Sequence, residues 1–352
     1  MRRYFLDIHL KSFFAEHRTT ASTKPRTDAI RIARGCGFRP MVFYYWETSL
    51  SYIARRHPLF PNRLLRIQLW CFTTFVRNSV IMVQLPFLRF NMHDALRTLA
   101  KKNRIIVLAH DVEAIRETQD GIWDLKTLAL ADVIIVHSVP MADALRQMGI
   151  TKPCVPLEYF DYLNPLDKAV RVVTEGPTVV FAGNLFKSEF LRALANVPNL
   201  PHMNLYGQRP AFEFPHQVMY KGFFDNEDIA AVEGDWGLVW DGDSVETCTG
   251  TLGRYLRYNA PFKFSLYLAL GIPVIVWSQS ALATVVQREH LGICVDSLNE
   301  ITEKIEALSA DEIAQIQSGV TLHSRAVKSG AQLASAIRRS LSIMMNDKSH
   351  WP

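Results

Sequence analysis

Short apolar runs alternate with stretches of helical periodicity from one end of the chain to the other. In the first half, Tyr4–Ile8, Met41–Tyr45, Val80–Leu85, Ile105–Ala109, Val133–Val136 and Cys154–Leu157 are brief, rich in Val and Ile, and predict strands. Between them, apolar residues return at helical spacing in Asp28–Arg34, Arg63–Phe75, Met92–Lys101 and Met141–Gln147, with Gly149 closing the last. Residues 161–176 lose this periodicity and hold Pro and Gly, as a linker does.

A second series follows. Its predicted strands are Thr178–Phe181, Met203–Tyr206, Val218–Gly222, Gly237–Trp240, Pro273–Trp277 and Gly292–Val295. Its predicted helices lie around Ser188–Ala195, Asp225–Val232, Pro261–Leu270, Ala281–Glu289 and Asn299–Leu308, and an amphipathic helical tail runs from Ala310 to Met345. Strand–helix alternation of this kind predicts an α/β protein with two Rossmann-like domains facing a cleft. Ligands of such sheets bind outside the carboxyl ends of the strands, so residues directly after each strand matter most.

Composition narrows the class. The chain has 352 residues, enough for two domains, with a net charge of +5 and no Lys/Arg run suited to nucleic acid. Five scattered cysteines show no zinc or CxxC spacing and fit a reducing cytosol. The N-terminus alternates like a strand rather than a signal peptide, and the longest apolar run, near Ile67–Val76, is too short to span a bilayer. One asymmetry remains. No acidic residue lies between Glu47 and Asp94, while Arg55, Arg56, Arg63, Arg66, Arg77 and Arg89 do. With Leu64, Leu65, Leu69, Trp70, Phe72 and Phe75 on the same predicted helix, this stretch fits an anionic membrane surface. A core-packed helix with solvated arginines fits it too.

Candidate chemistry gathers at the strand ends. Tyr258-Asn259-Ala260-Pro261-Phe262-Lys263 leads from a polar loop into a helix, and Pro261 suits its first turn. Free amides with Lys263 beside them make an anion site, although a capped surface helix has the same residues. Gly183-Asn184 ends the first strand of the second series, and Lys187 follows on a predicted helix; with Lys263 it offers a second cation for one diphosphate. Tyr206 could stack on a base or simply pack. Trp240-Asp241-Gly242-Asp243 contains a D-x-D, a metal-binding pattern and also ordinary turn chemistry.

In the first half, the fourth strand runs into His110-Asp111 and on to Arg116, placed to take a proton from an attacking hydroxyl or to form a structural pair. Gln84 ends the third strand on the same rim, where it could bond a sugar or the backbone. The chain has no G-x-S-x-G elbow, kinase set, H-E-x-x-H or dinucleotide fingerprint.

At this point Gly237–Trp240, Arg257–Lys263, Leu266–Trp277 and Leu291–Ile293 resemble bacterial GT-B glycosyltransferases. They are similar to the glucosyltransferases that extend O-linked GlcNAc on serine-rich adhesins, and to β-1,6-galactofuranosyltransferases. The segment His110–Arg116 resembles the galactofuranosyl branch. The resemblance implies a GT-B fold and a UDP-sugar donor used without metal or other cofactor. It also implies diphosphate contacts by Lys187 and Lys263, a base- or ribose-contacting Tyr206, and Tyr258 and Asn259 beside the phosphates. The paired glutamates of many retaining GT-B enzymes are absent.

The expected organisation is an acceptor domain over residues 1–160, a linker over 161–176, a UDP-sugar domain over 177–320, and a helix over 321–352 packing back on the first domain. The expected activity is transfer of galactofuranose or glucose from UDP to a glycan hydroxyl. Asp111 and His110 would act on the acceptor; Gly183, Asn184, Lys187, Tyr206, Tyr258, Asn259 and Lys263 on the donor; Gln84, Arg116, Trp240 and Asp241 on the sugars. A lipid-linked acceptor, cytoplasmic location, peripheral contact with the inner membrane face and a homo-oligomer are compatible with this reading; a nucleic-acid partner is not. A nucleotide-sugar epimerase and a non-catalytic GT-B-like binding subunit are the alternatives.

Overall fold

A computed structural model describes residues 1–12, 23–47, 63–86, 91–119 and 121–346. Two six-stranded sheets form, each built from parallel pairs. The first contains β1 (Arg2–Ser12), β2 (Arg39–Glu47), β3 (Ser79–Leu85), β4 (Arg104–Ala109), β5 (Val133–Val136) and β6 (Cys154–Pro156), in the order β2-β1-β3-β4-β5-β6. The second contains β7 (Thr178–Ala182), β8 (His202–Tyr206), β9 (Val218–Gly222), β10 (Trp236–Val239), β11 (Val274–Trp277) and β12 (Gly292–Val295), in the order β12-β11-β10-β7-β8-β9. Every predicted strand is present. Central strands such as β3, β4 and β5 are buried along their whole length, as strands covered on both faces must be.

The helices of the first half are α1 (Lys24–Gly35), α2 (Arg63–Phe75), α3 (Asn91–Ala100), α4 (Gly121–Leu128) and α5 (Val139–Gln147). Those of the second are α6 (Gly250–Tyr255), α7 (Phe262–Ala269), α8 (Ala283–Arg288), α9 (Ile301–Glu306), α10 (Ala310–Ser329) and α11 (Ala331–Asn346). Helices α4 and α6 are not predicted by the sequence pattern. The helix expected over Asp225–Val232 is reduced to a 3-10 turn, Ile229–Ala231. There the Asp225 and Asp228 carboxylates accept the Glu227 and Ala230 amides, which competes with helix formation. Among the described residues no helix is long and apolar enough to cross a membrane. The five cysteines are free thiols.

The expected helical tail is two helices, broken at Gly330 with φ +80°. A Cβ there would stand 2.7 Å from Ile32 Cγ1, so the turn also needs the missing side chain. Helix α10 stays with the second sheet, where it packs on α7. Helix α11 crosses back: Leu333, Ala336, Ile337, Leu341 and Met344 share a core with Phe5, Ala29 and Val155 of the first domain. The crossing is tied to the linker. The buried Asp161 carboxylate accepts the Gln332 and Leu333 amides at 3.1 and 2.7 Å, a cap on α11. Nearby, the fully buried Lys24 ammonium meets Asp28 at 2.9 Å, the Leu163 carbonyl at 2.8 Å and Glu227 at 3.4 Å. One lysine thus joins α1, the linker and the second domain. Removing one partner from a buried pair of this kind typically costs about 3–5 kcal/mol.

Candidate active site

The second sheet changes direction between β7 and β10, and such a switch point opens a crevice at the strands' carboxyl ends. Helix α7 sits over that crevice because Tyr267 holds it there. A Cβ at Gly237 would stand 2.3 Å from the Tyr267 ring, so β10 lets the helix come close only through a glycine. The Tyr267 hydroxyl accepts the Ala182 amide at 2.9 Å and donates to the Leu238 carbonyl at 3.2 Å, bridging β7 and β10. Lys263 lies four residues earlier on the same helical face. Its ammonium reaches the Trp240 carbonyl at 3.1 Å and the Asp241 carboxylate at 3.2 Å, and it stands 4.2 Å from the centre of the Phe181 ring. A Cβ on Gly183 would be 3.8 Å from that ammonium, so the end of β7 lies close beside the cation, with the Gly183 amide bonded to the Tyr206 carbonyl at 3.0 Å.

Pro261 is the N-cap of α7 rather than part of its first turn, with φ −60° and ψ 141°. Lys263 is therefore the second residue of the helix. Asn259 lies before it, half-buried, and its side-chain oxygen has no hydrogen-bond partner among the described residues. Lys187 stands on an exposed turn before a 3-10 helix, Glu189–Asn196, not on an α-helix as expected. Asn184 caps that turn by accepting the Phe186 amide at 3.1 Å.

Three sequence expectations change. Tyr206 is 3% exposed; its hydroxyl donates to the Ala231 carbonyl and accepts the Glu233 amide, both at 3.0 Å, and its ring packs edge-on against Phe224. It offers no face to a base. The Trp240 side chain is also core, with its indole N–H on the Ser244 carbonyl, so only its main chain reaches the site. Gln84 is 2% exposed and lies behind His110 rather than on the rim. The D-x-D pair is already divided: Asp241 faces Lys263, and Asp243 accepts from the Thr249 hydroxyl.

Across the cleft, His110 donates from Nε2 to Gln84 Oε1 at 2.5 Å, and its ring stacks on Phe160 at 4.8 Å. Burial, with the charge of Arg26 helping, holds the imidazole well below the ordinary histidine range, so it is neutral at pH 7. Asp111 is paired with Arg116 at 2.5 Å and remains partly exposed. Burial raises its carboxyl above the usual range, opposed by Arg116. The charges of Arg26 and, more weakly, Lys187 also favour the ionised carboxylate. Arg116 in turn binds Glu113 at 2.9 Å and stacks 4.4 Å over the Tyr255 ring.

Four further residues build this interface. Tyr255 on α6 accepts the Val112 amide at 2.9 Å. His137 and Ser138 bond the backbone of Ala260 and Tyr258. Phe160 lies between the His110 and His137 rings. For His137 a signal existed, since it follows β5 as His110 follows β4. For Tyr255 and Phe160 there was none.

Two doubly wound domains with a cation over the second switch point define a GT-B glycosyltransferase. The first half matches the glucosyltransferase 3-like N-terminal domain over residues 7–159, and the second matches the glucosyltransferase 3-like C-terminal domain over 179–340. The chain is 33% identical over 236 residues to the β-1,6-galactofuranosyltransferase WbbI of Escherichia coli K12, covering 65% of this chain and 69% of that protein. It is 23% identical over 338 residues to glucosyltransferase 3 of Streptococcus gordonii, covering 92% and 95%. The fold matches α,α-trehalose 6-phosphate synthase of Burkholderia multivorans with a TM-score of 0.59 at 10% identity, over 98% of this chain and 100% of that one. The chain belongs to the glucosyltransferase 3-like family.

Proposed function

We propose that the chain transfers a hexosyl group, galactofuranose or glucose, from a UDP-sugar to a hydroxyl of a glycan acceptor. The observation that carries this is Lys263, held beside Gly183 and Asp241 at the switch point of the second sheet. Lys263, Lys187 and the first amides of α7 stabilise the departing UDP, with no metal called for. Asp111 takes the acceptor proton. Its carboxyl, raised by burial, is better matched to that task than an ordinary aspartate, and Arg116 holds it in place. The bond from sugar to phosphate breaks, the acceptor oxygen takes the sugar, and the proton goes to Asp111. His110, neutral and fixed against Gln84, orients this rim.

The acceptor is read as a lipid-linked glycan met at the cytoplasmic face of a membrane. Helix α2 supports this by exposing Ile67, Trp70 and Phe75 at 59, 64 and 75%. Arg77 follows it, and the surrounding sequence is free of acid. Arg55, Arg56 and Arg89 lie outside the described residues. The deciding experiment is a donor screen with UDP-galactofuranose, UDP-glucose, UDP-galactose and UDP-GlcNAc, read by mass spectrometry with and without acceptor. Transfer from none of them would overturn the proposal, and conversion of a donor without acceptor would mark an epimerase.

A further inference from the structure

His137 and Ser138 follow directly on β5, at the carboxyl-end rim of the first sheet, and both are buried. Their side chains serve the second domain. Nδ1 of His137 accepts the Ala260 amide at 2.8 Å, and Nε2 donates to the Ala109 carbonyl at 3.1 Å. A ring nitrogen that accepts an N–H carries no proton, so the two bonds fix a neutral imidazole. The Ser138 hydroxyl donates to the Tyr258 carbonyl at 2.6 Å while it accepts the Met141 amide as the cap of α5. The backbone leading into α7 is therefore fastened to the opposite domain.

We infer that His137 is a positioning residue for sugar transfer: through the Ala260 amide it sets the start of α7, and so the Lys263 ammonium, against the His110–Asp111 rim. The path is short and stiff. Ala260 is buried and is followed by Pro261, whose ring fixes the backbone angle, and α7 begins at the next residue. On the far side the Ser265 hydroxyl donates to the Phe160 carbonyl at 2.6 Å, so the helix cannot slide to compensate. Phe160 itself touches both His110 and His137, which gives the acceptor rim and the donor helix a common wall. Small misplacements of a charge-stabilising group are felt strongly in transfer reactions.

The inference rests on Lys263 being the diphosphate cation, and the test separates the two. UDP is titrated calorimetrically into wild type, His137→Phe, Lys263→Ala and the double variant. Phe keeps the volume but cannot accept the amide. His137→Phe is expected to weaken UDP binding about five- to tenfold, the size of one ordinary hydrogen bond. In the Lys263→Ala background it should add nothing, because there is no ammonium left to place. His137→Gln, whose carbonyl can accept the same amide, should restore affinity. Unchanged UDP affinity in His137→Phe, or losses that multiply in the double variant, overturns the inference. Ser138→Ala, a smaller change on the same loop, runs through the same cycle and decides the matter if His137→Phe does not fold. A wild-type chain that fails to bind UDP overturns the reading of Lys263 as well.

Discussion

The Lys263 ammonium and the Asp241 carboxylate stand 3.2 Å apart at the switch point, both largely buried. The cation that would meet a diphosphate is therefore already neutralised by its own chain. On the proposed reading of Lys263 as the diphosphate cation, a donor would have to displace Asp241 from it.

Lys263→Ala should weaken UDP binding at least tenfold. A charge-assisted hydrogen bond is worth roughly 1.5–3 kcal/mol, and the variant leaves Asp241 as an unopposed anion beside the phosphates. Asp241→Asn should act in the opposite sense, tightening free UDP by up to about fivefold, since it removes a competing partner. Calorimetric titration of both variants decides; a weaker Asp241→Asn complex would show that this carboxylate helps hold the donor.

Turnover should survive EDTA. The two carboxylates of the D-x-D each have a protein partner, Lys263 and the Thr249 hydroxyl, and the diphosphate charge is met by lysines. Loss of activity on chelation, restored by Mg²⁺ or Mn²⁺, would make Asp241 and Asp243 ligands.

Asp111→Asn should cut turnover about 10²–10⁴-fold, the usual contribution of a general base, while UDP affinity stays close to wild type. Asn keeps the shape beside Arg116 but cannot take the proton. Steady-state rates alongside UDP titration separate the two effects, and a variant turning over at near the wild-type rate would exclude Asp111 as the base.

Acid should loosen the domain interface through His137. Burial drives this imidazole down to about 4 from the ordinary 6.5. The folded state thus stays neutral where the unfolded chain takes a proton, so stability is full above pH 6.5 and falls as pH drops toward 4. At 1.36 kcal/mol per pH unit the loss is about 3 kcal/mol across that window. Denaturant melts of wild type and His137→Gln at pH 7.5 and 5 test it. The wild type should lose more stability than the variant, and parallel losses would assign the effect to other groups.

Much of the fold could be read from the chain because buried parallel strands are plain runs of Val and Ile, as in Val133–Val136. The same feature hid which side chains face the cleft. Tyr206 and Trp240 come at strand ends, the position that points to a site, yet both faces of this sheet are core and both rings turn inward. The positions of Lys263 and Gly183, at a helix start and just past a strand end, are legible because such places are marked by local sequence alone. Helices α4 and α6 are short, and Gly121 and Gly250 open them. Gly121 is there because a Cβ would stand 2.5 Å from Ala114, a packing reason that local propensity cannot report. Contacts between halves, such as Tyr255 with Val112, depend on residues more than a hundred positions apart and leave no local trace.

Helix α2 should carry the protein to anionic vesicles in a salt-sensitive manner. Each basic residue near such a surface contributes about 1 kcal/mol, and the exposed Ile67 and Trp70 add apolar contact. Co-sedimentation with anionic and neutral vesicles at low and high salt tests this, with Ile67→Ser/Trp70→Ser as the control. Equal recovery in the supernatant under all conditions would leave these side chains as plain surface.

The return of α11 has a consequence for how the molecule is made. Phe5, Ala29 and Val155 are synthesised well before the side chains that cover them, Leu333 and Ile337 among others. The second domain's sheet can close around its own residues while the first still waits with an open apolar face. Translation therefore completes the second domain's core before the first domain's, and a premature stop just before Ala331 would leave the first domain's apolar face uncovered beside a second domain whose core residues are all present.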